Sequence, residues 1–171
     1  LEDTLQLLDR TPGSLRGLLS GLPPEWGHGN YGVDTFSAFD VVGHLIHGEK
    51  TDWLPRVRRV LEQGEAVPFD PFDRFAQYQT SQGRRMEELL AEFSRLRSAN
   101  VSKLRGMNLV QEKLQMRGKH PTLGSVTVQE LLATWVVHDL DHLKQIAKAL
   151  AWQYREEVGP WKEFLPILKA P

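Results

Sequence analysis

The stretch Trp135-Val-Val-His138-Asp-Leu-Asp-His142-Leu-Lys-Gln-Ile146 decides how this chain is read. Its two histidines are four residues apart, so on a helix they lie one above the other on one face. Extending that spacing gives a stripe of Leu131, Trp135, His138, His142, Ile146 and Ala149. Two imidazoles interrupt a row that is otherwise apolar and faces a core. Burying them costs free energy unless each ring nitrogen finds a partner. A divalent metal ion fits an i, i+4 pair, because neutral imidazole is a common ligand and both rings can point at one ion. Hydrogen bonds to other helices would satisfy the same pair, and the spacing alone does not choose between the two.

Composition narrows the classes. The 171 residues are 40% hydrophobic and 25% charged, values of an ordinary globular protein, and residues 1–171 are expected to form one domain. A net charge of -1 without long runs of one sign lacks the electrostatic footprint of a nucleic-acid binder. With no cysteine, any metal must be held by His, Asp or Glu, and any thiol chemistry needs a thiol from outside. No secretory leader pattern and no membrane-length apolar run is visible, so the expectation is a cytoplasmic protein that neither crosses nor needs a membrane. That expectation carries less weight for a chain that opens on Leu1 rather than Met.

Periodicity predicts helices throughout. Leu5, Leu8, Leu15, Leu18, Leu19 and Leu22 mark a first amphipathic segment, with Pro12 either kinking it or opening a fresh helix after Thr11. Ser37-Ala-Phe-Asp40 is a capping-box start for a second helix, predicted to run to about Leu61, bent at Pro55 and stopped at Gly64. Met86, Leu89, Leu90, Phe93, Leu96, Val101, Leu104 and Met107 mark a third. Its outer face is assigned to Arg84, Arg85, Glu87, Glu88, Glu92, Arg95 and Arg97 as a solvated charge pattern. Residues 108–126 read as a loop. Thr127-Val-Gln-Glu130 caps a fourth helix that carries His138 and His142 to about Glu157, and a short final helix is expected to pack Trp161, Phe164 and Leu165 onto the body. No segment alternates with period two. The fold class is all-α, a four-helix bundle.

A catalytic zinc-type centre takes three protein ligands and keeps an open position, so a third residue must join the pair. His28 and His120 stand in Gly/Pro-rich stretches, where histidine is usually a solvated side chain. His44 and His47 lie on the second helix, one turn apart, and helical position does not separate them.

Two motifs, taken together, resemble a known family. Ser37-Ala-Phe-Asp-Val-Val-Gly-His44-Leu-Ile-His-Gly-Glu49 is similar to the second-helix signature of the DinB/YfiT-like superfamily, and His138-Asp-Leu-Asp-His142 resembles its fourth-helix H-x-x-x-H. Between them, His120-Pro-Thr-Leu-Gly124 and Val126-Thr-Val-Gln-Glu-Leu-Leu132 resemble the lead-in to that helix. The resemblance implies up-down-down-up connectivity and a divalent metal held by His44, His138 and His142, with His47 as a pocket residue. It also implies a homodimer.

Three neutral imidazoles leave a dication's charge uncompensated, and such an ion lowers the pKa of bound water or of a bound thiol. The resemblance points first to transfer of a low-molecular-weight thiol onto a small electrophile. Metal-dependent hydrolysis of a small molecule is the alternative, with Glu49, His47 or Asp139 as candidate bases. A third reading is a metal-holding, stress-linked bundle without activity. His138-Asp139-x-x-His142 approaches the metalloprotease H-E-x-x-H with a shorter acid, and Asp139 could equally support the histidines from behind. The Glu-x-x-His of a di-metal carboxylate bundle occurs only as Glu25-Trp-Gly-His28, in a loop. Zinc heads the candidate ions, with nickel and iron also suited to imidazole. A solvent-reaching cavity beside the histidines would separate an enzyme from a structural site, and Trp26, Tyr31, Phe36 and Trp53 are candidates for its lining.

Overall fold

The structure, a computed structural model, describes residues 1–169. In chain order it contains α1 (Glu2–Leu19), α2 (Pro24–His28), α3 (Ala38–Thr51), α4 (Trp53–Gln63), α5 (Gln77–Thr80), α6 (Met86–Gly106) and α7 (Gln111–Leu114). A hairpin of β1 (Arg117–His120) and β2 (Gly124–Thr127) follows, then α8 (Val128–Trp152) and two short 3₁₀ turns. The long helices α1, α3, α6 and α8 form the bundle. No helix among the described residues is long and apolar enough to cross a membrane.

Local chemistry sets the helix starts. The Ser37 hydroxyl accepts from the Asp40 amide at 3.1 Å while the Asp40 carboxylate accepts from the Ser37 amide at 3.0 Å. Thr127 and Glu130 repeat this reciprocal pair at α8. Each such cap is worth about 1 kcal/mol. α1 runs unbroken through Pro12. The second helix, however, does not bend at Pro55; it breaks at Asp52 (φ -108°, ψ -78°) and restarts as α4. Pro55 then falls in the first turn of α4, where a missing amide costs nothing because first-turn amides have no intrahelical partner.

Contacts fix the topology. Asp9 pairs with Arg105 and Ser20 with Glu87, so α1 and α6 run antiparallel. His44 meets His142, and Trp53 stacks on Trp135, so α3 and α8 are antiparallel too. Thr11 bonds Asp139 and the following Trp26 carbonyl accepts from Gln153, so α1 and α8 are parallel. The order is therefore up-down-down-up, with α3 and α6 parallel.

The stretch before α8 differs from its expected form. Residues 117–120 and 124–127 pair as an antiparallel hairpin, Gly118 opposite Val126. Its strands are too short to show a period, and Gly118 supplies no inward side chain. Val60 and Phe69 close over that bare backbone, and a Cβ on Gly118 would stand 2.5 Å from Val60 Cγ2. The short final helix is present as 3₁₀ turns at Gly159–Phe164 and Pro166–Leu168, but its aromatics do not pack onto the body: Trp161 is 70% exposed and Phe164 78% exposed. α8 ends at Trp152, and the second 3₁₀ turn, not the aromatics of the first, packs back against it.

The core is split in two by a polar layer. Leu5 and Leu8 join Val101, Leu104, Val128 and Leu132 in one cluster, and Leu15 and Leu19 join Leu45, Leu89, Phe93 and Ile146 in the other. Between them each long helix contributes one or two polar residues: Thr11, Glu49, Arg97 with Asn100, and Asp139. Arg97, expected on the solvated face, is 1% exposed and is the centre of this layer. Its Nε donates to Glu49 Oε1 at 2.9 Å, its Nη2 to Asp139 Oδ1 at 3.0 Å and its Nη1 to the Leu8 carbonyl at 2.9 Å. Thr11 Oγ1 donates to Asp139 Oδ2 at 2.7 Å, and Asn100 Nδ2 to Glu49 Oε2 at 2.9 Å. The Glu49 carboxyl is pushed up from its ordinary pKa by burial, and the Arg97 charge opposes that shift.

Removing one member of a buried ion cluster strands the others, at a cost of about 3–5 kcal/mol. Arg97→Met is expected to lose that much in urea denaturation. Arg95→Met, on the exposed face two residues earlier, should stay within about 0.5 kcal/mol of the parent. Equal effects for the two would show that the layer holds nothing together.

Candidate metal centre

One imidazole from α3 and two from α8 meet just beyond the polar layer. His44 Nε2 lies 3.3 Å from His138 Nε2, which lies 3.1 Å from His142 Nε2. Among the described residues, His44, His138 and His142 form the group whose ligand atoms all fall within 4.8 Å of one another. The antiparallel crossing of α3 and α8 produces this: His138 and His142 share a face by their spacing, and His44 faces them from the opposite rod.

The environment makes these rings neutral. Burial pushes His44 down to about 4, with the neighbouring His142 adding to the effect. Burial likewise takes His138 down to about 3, again helped by His142. His142 is lowered too, by burial, while its Gln145 bond and the Asp141 and Asp139 charges resist. Gln145 Oε1 lies 2.8 Å from His142 Nδ1, so that nitrogen carries the proton and Nε2 keeps its lone pair.

This arrangement fits a metal ion. Nitrogens bound at about 2.0–2.1 Å to one tetrahedral ion stand roughly 3.3 Å apart, close to the 3.1 and 3.3 Å separations seen. Without an ion the donor set is poorly matched. Three Nε2 atoms converge, and the Nδ1 atoms of His44 and His138 are buried with no hydrogen-bond partner. Neutral rings can place at most one proton between each converging pair, whereas a cation satisfies all three lone pairs together.

The remaining candidates have other occupations. His47, one turn past His44, lies with its ring 5.0 Å from Phe72 and its Nε2 3.3 Å from Thr51 Oγ1. Glu49 and Asp139 direct their carboxylates to Arg97, Asn100 and Thr11. His28 packs on Phe39 near the α6 end of the bundle. His120 closes the hairpin turn, its Nδ1 accepting from the Thr122 and Leu123 amides at 3.2 Å.

A cavity of about 410 Å³ adjoins the cluster, lined by His44 and His142 together with Tyr31, Phe36, Arg74, Asp141, Lys144, Gln145 and Lys148. Tyr31 and Phe36 line it as expected of them. Trp26 instead packs on Tyr154 away from the histidines, and Trp53 is buried with its ring against His138. Phe72, which periodicity did not single out, lies edge-on to His44 at 5.3 Å. Its segment precedes α5 and carries Arg74 to the cavity wall.

The family model of the DinB superfamily matches residues 7–146. The chain belongs to the DinB superfamily. A solved structure supports the same fold: YfiT from Bacillus subtilis, described as a probable metal-dependent hydrolase with an unusual four-helix bundle topology, is similar at a TM-score of 0.75 and 19% identity, covering 89% of this chain and 86% of that one. Among curated proteins none matches this DinB chain.

Two expectations follow. Protein purified without an affinity metal should carry one divalent ion per chain by elemental analysis, and His44→Ala or His138→Ala should reduce that to a small fraction. Metal content unchanged in both variants would rule out the cluster. For metal-free protein the pH sense can be worked out from burial. The folded rings at about 4 and about 3 take up protons less readily than unfolded histidine, so the unfolded state binds more protons between those values and 6.5. Stability is full above about pH 6.5 and falls as acid is added toward pH 3–4. The slope approaches two protons, about 1.4 kcal/mol per proton per pH unit. A flat profile from pH 6.5 to 4.5 would contradict the buried, neutral description.

Proposed function

We propose that this chain is a metal-dependent enzyme in which His44, His138 and His142 hold a divalent ion, zinc being the first choice, for hydrolysis of a small molecule. One observation carries the reading. Two of the three ligand rings, His44 and His142, form part of a cavity wall. A purely structural ion would have all its ligands enclosed. The kinship with YfiT, described as a probable metal-dependent hydrolase, supports the same reading.

When bound, a divalent ion supplies Lewis acidity that lowers the pKa of water or a thiol to near neutrality. The chain's own residues prepare that chemistry. Burial keeps the rings unprotonated and able to ligate down to acidic pH. Gln145 fixes the His142 ring in the tautomer that presents Nε2. Trp53 and Phe72 set apolar ring edges and faces beside the cluster, against His138 and His44. His47, one turn past His44 and in no ion pair among the described residues, is the candidate to accept a proton.

Transfer of an external low-molecular-weight thiol is the second reading, favoured by the size of the cavity. A volume of about 410 Å³ holds more than one small reactant, and the chain has no cysteine of its own. Both readings share one test. Chelator-stripped and zinc-reconstituted protein is assayed on a panel of small esters and amides, and on a haloarene electrophile with and without added thiols. Activity is expected only in reconstituted protein, with His44→Ala reduced at least 100-fold and His47→Gln reduced less. Turnover that needs no metal, or that survives in His44→Ala, would overturn the proposal. Dependence on thiol chooses between the two nucleophiles.

A further inference from the structure

The charge around the cavity is one-sided. Arg74, Lys144 and Lys148 line it against a single carboxylate, Asp141. Asp141 stands 3.6 Å from Lys144 Nζ in an exposed i, i+3 pair on α8, so the one carboxylate is already turned to that lysine. Arg74 and Lys148 make no ion pair among the described residues. Aromatic faces hold them instead. The Arg74 guanidinium lies 5.1 Å from the centre of Phe75 and 5.8 Å from that of Phe36. Lys148 Nζ lies 5.0 Å from the centre of Tyr31. An aromatic face steadies a cation without consuming its N–H donors, so both groups remain free to bond a ligand. Gln145 adds a neutral donor: its carbonyl is taken by His142, which leaves its NH₂ at the cavity wall.

These donors share one preference. Two unpaired cations stand in a cavity whose floor carries two imidazole rings, His44 and His142, which bring no negative charge of their own. Such a site repels a cationic molecule and leaves a neutral one with charged groups to desolvate for nothing in return. Resting on the reading of this cavity as the substrate pocket, we propose that the molecule acted on carries an oxyanion, a carboxylate or a phosphate. Arg74 and Lys148 hold that group, while Tyr31 and Phe36 flank the apolar part between it and the end that reaches His44 and His142. Arg74 comes from the segment ahead of α5 and Lys148 from α8, so the anion bridges two elements and fixes the orientation of the reacting end. Arg74 and Lys148 are positioning and specificity residues in this scheme.

The test separates the cationic rim from the ion. Phenyl phosphate, phenylacetate and the neutral phenylacetamide are titrated calorimetrically into chelator-stripped wild-type protein, where no metal can ligate them. Both anions, or one of them, should bind at least tenfold tighter than the amide, and the advantage should shrink as salt rises. Comparing the two anions tells which oxyanion the rim prefers. The double variant Arg74→Gln/Lys148→Gln should lose at least tenfold for the anions with the amide unmoved, and its circular dichroism should match wild type. Equal binding of anion and amide, unchanged anion binding in the double variant, or no measurable anion binding would each overturn the proposal. Anions that bind only after zinc is restored, and equally to the double variant, would sink it while leaving the metal reading intact. Rim binding in a protein that takes up no metal would do the reverse.

Discussion

The buried Arg97 guanidinium is the constraint on which the rest of this bundle depends. Its bonds reach α1 through the Leu8 carbonyl, α3 through Glu49 and α8 through Asp139, so one side chain on α6 ties all four long helices at the same level. Apolar contact is non-directional and would tolerate helices sliding past one another. A forked donor with two carboxylate partners does not. The layer also separates two apolar clusters, so a slip of one turn on any helix would place charge among leucines. Buried ion clusters add little net stability, and their better-supported role is to select one register. Here that register has a consequence close by, because Glu49 lies five residues after His44 and Asp139 directly follows His138.

The helices divide the work between them. α1 and α6 contribute only support to the polar layer, whereas α3 and α8 contribute both support and ligands. Because α3 and α8 run antiparallel, the single histidine of one faces the i, i+4 pair of the other with no contribution from a loop. Ligands on rigid rods hold their separation more tightly than ligands on loops. The loop elements serve the cavity instead. The segment ahead of α5 brings Phe72 and Arg74, and the stretch ahead of α3 brings Tyr31 and Phe36. Variation in those stretches can change what enters without disturbing the cluster, which suits a fold that keeps one centre and alters its substrates.

Much of this was legible in the sequence, and the failures have physical causes. Capping pairs at Ser37 and Thr127 and the leucine periodicity gave the long helices. The spacing of His138 and His142 gave half of the cluster. His44 over His47 could not be reached by periodicity, since both sit near the edge of one apolar arc; the motif likeness distinguished them. Arg97 was misassigned to the surface, yet a signal existed. It lies four residues after Phe93 and four before Val101, inside the buried stripe, with Asn100 in the same row. A charge at a stripe position calls for a buried partner, and Glu49 and Asp139 were available. The hairpin was invisible because four-residue strands carry no usable period. The exposed Trp161 and Phe164 contradict hydropathy alone, which cannot say where a chain turns after its last long helix.

The converging Nε2 atoms of the cluster bear on the order of events. A zinc finger folds because metal binding supplies the free energy that its small core cannot. This bundle has two apolar clusters and a satisfied ion layer that do not involve the histidines, so folding does not wait for the ion. The price of that independence is a folded apoprotein whose three Nε2 atoms converge on one another. Binding an ion relieves the mismatch at the converging Nε2 atoms, so the ion stabilises a site that already exists. Such a site can exchange its ion without unfolding, and its affinity follows from the geometry imposed by Arg97 and by the crossing of α3 and α8. His138, the ring both others approach, packs edge-on against Trp53 and takes no part in the cavity wall. The open side is therefore the His44–His142 edge, and the unpaired cations stand on that same side. Ligand set, cavity and charge agree on a single direction of approach.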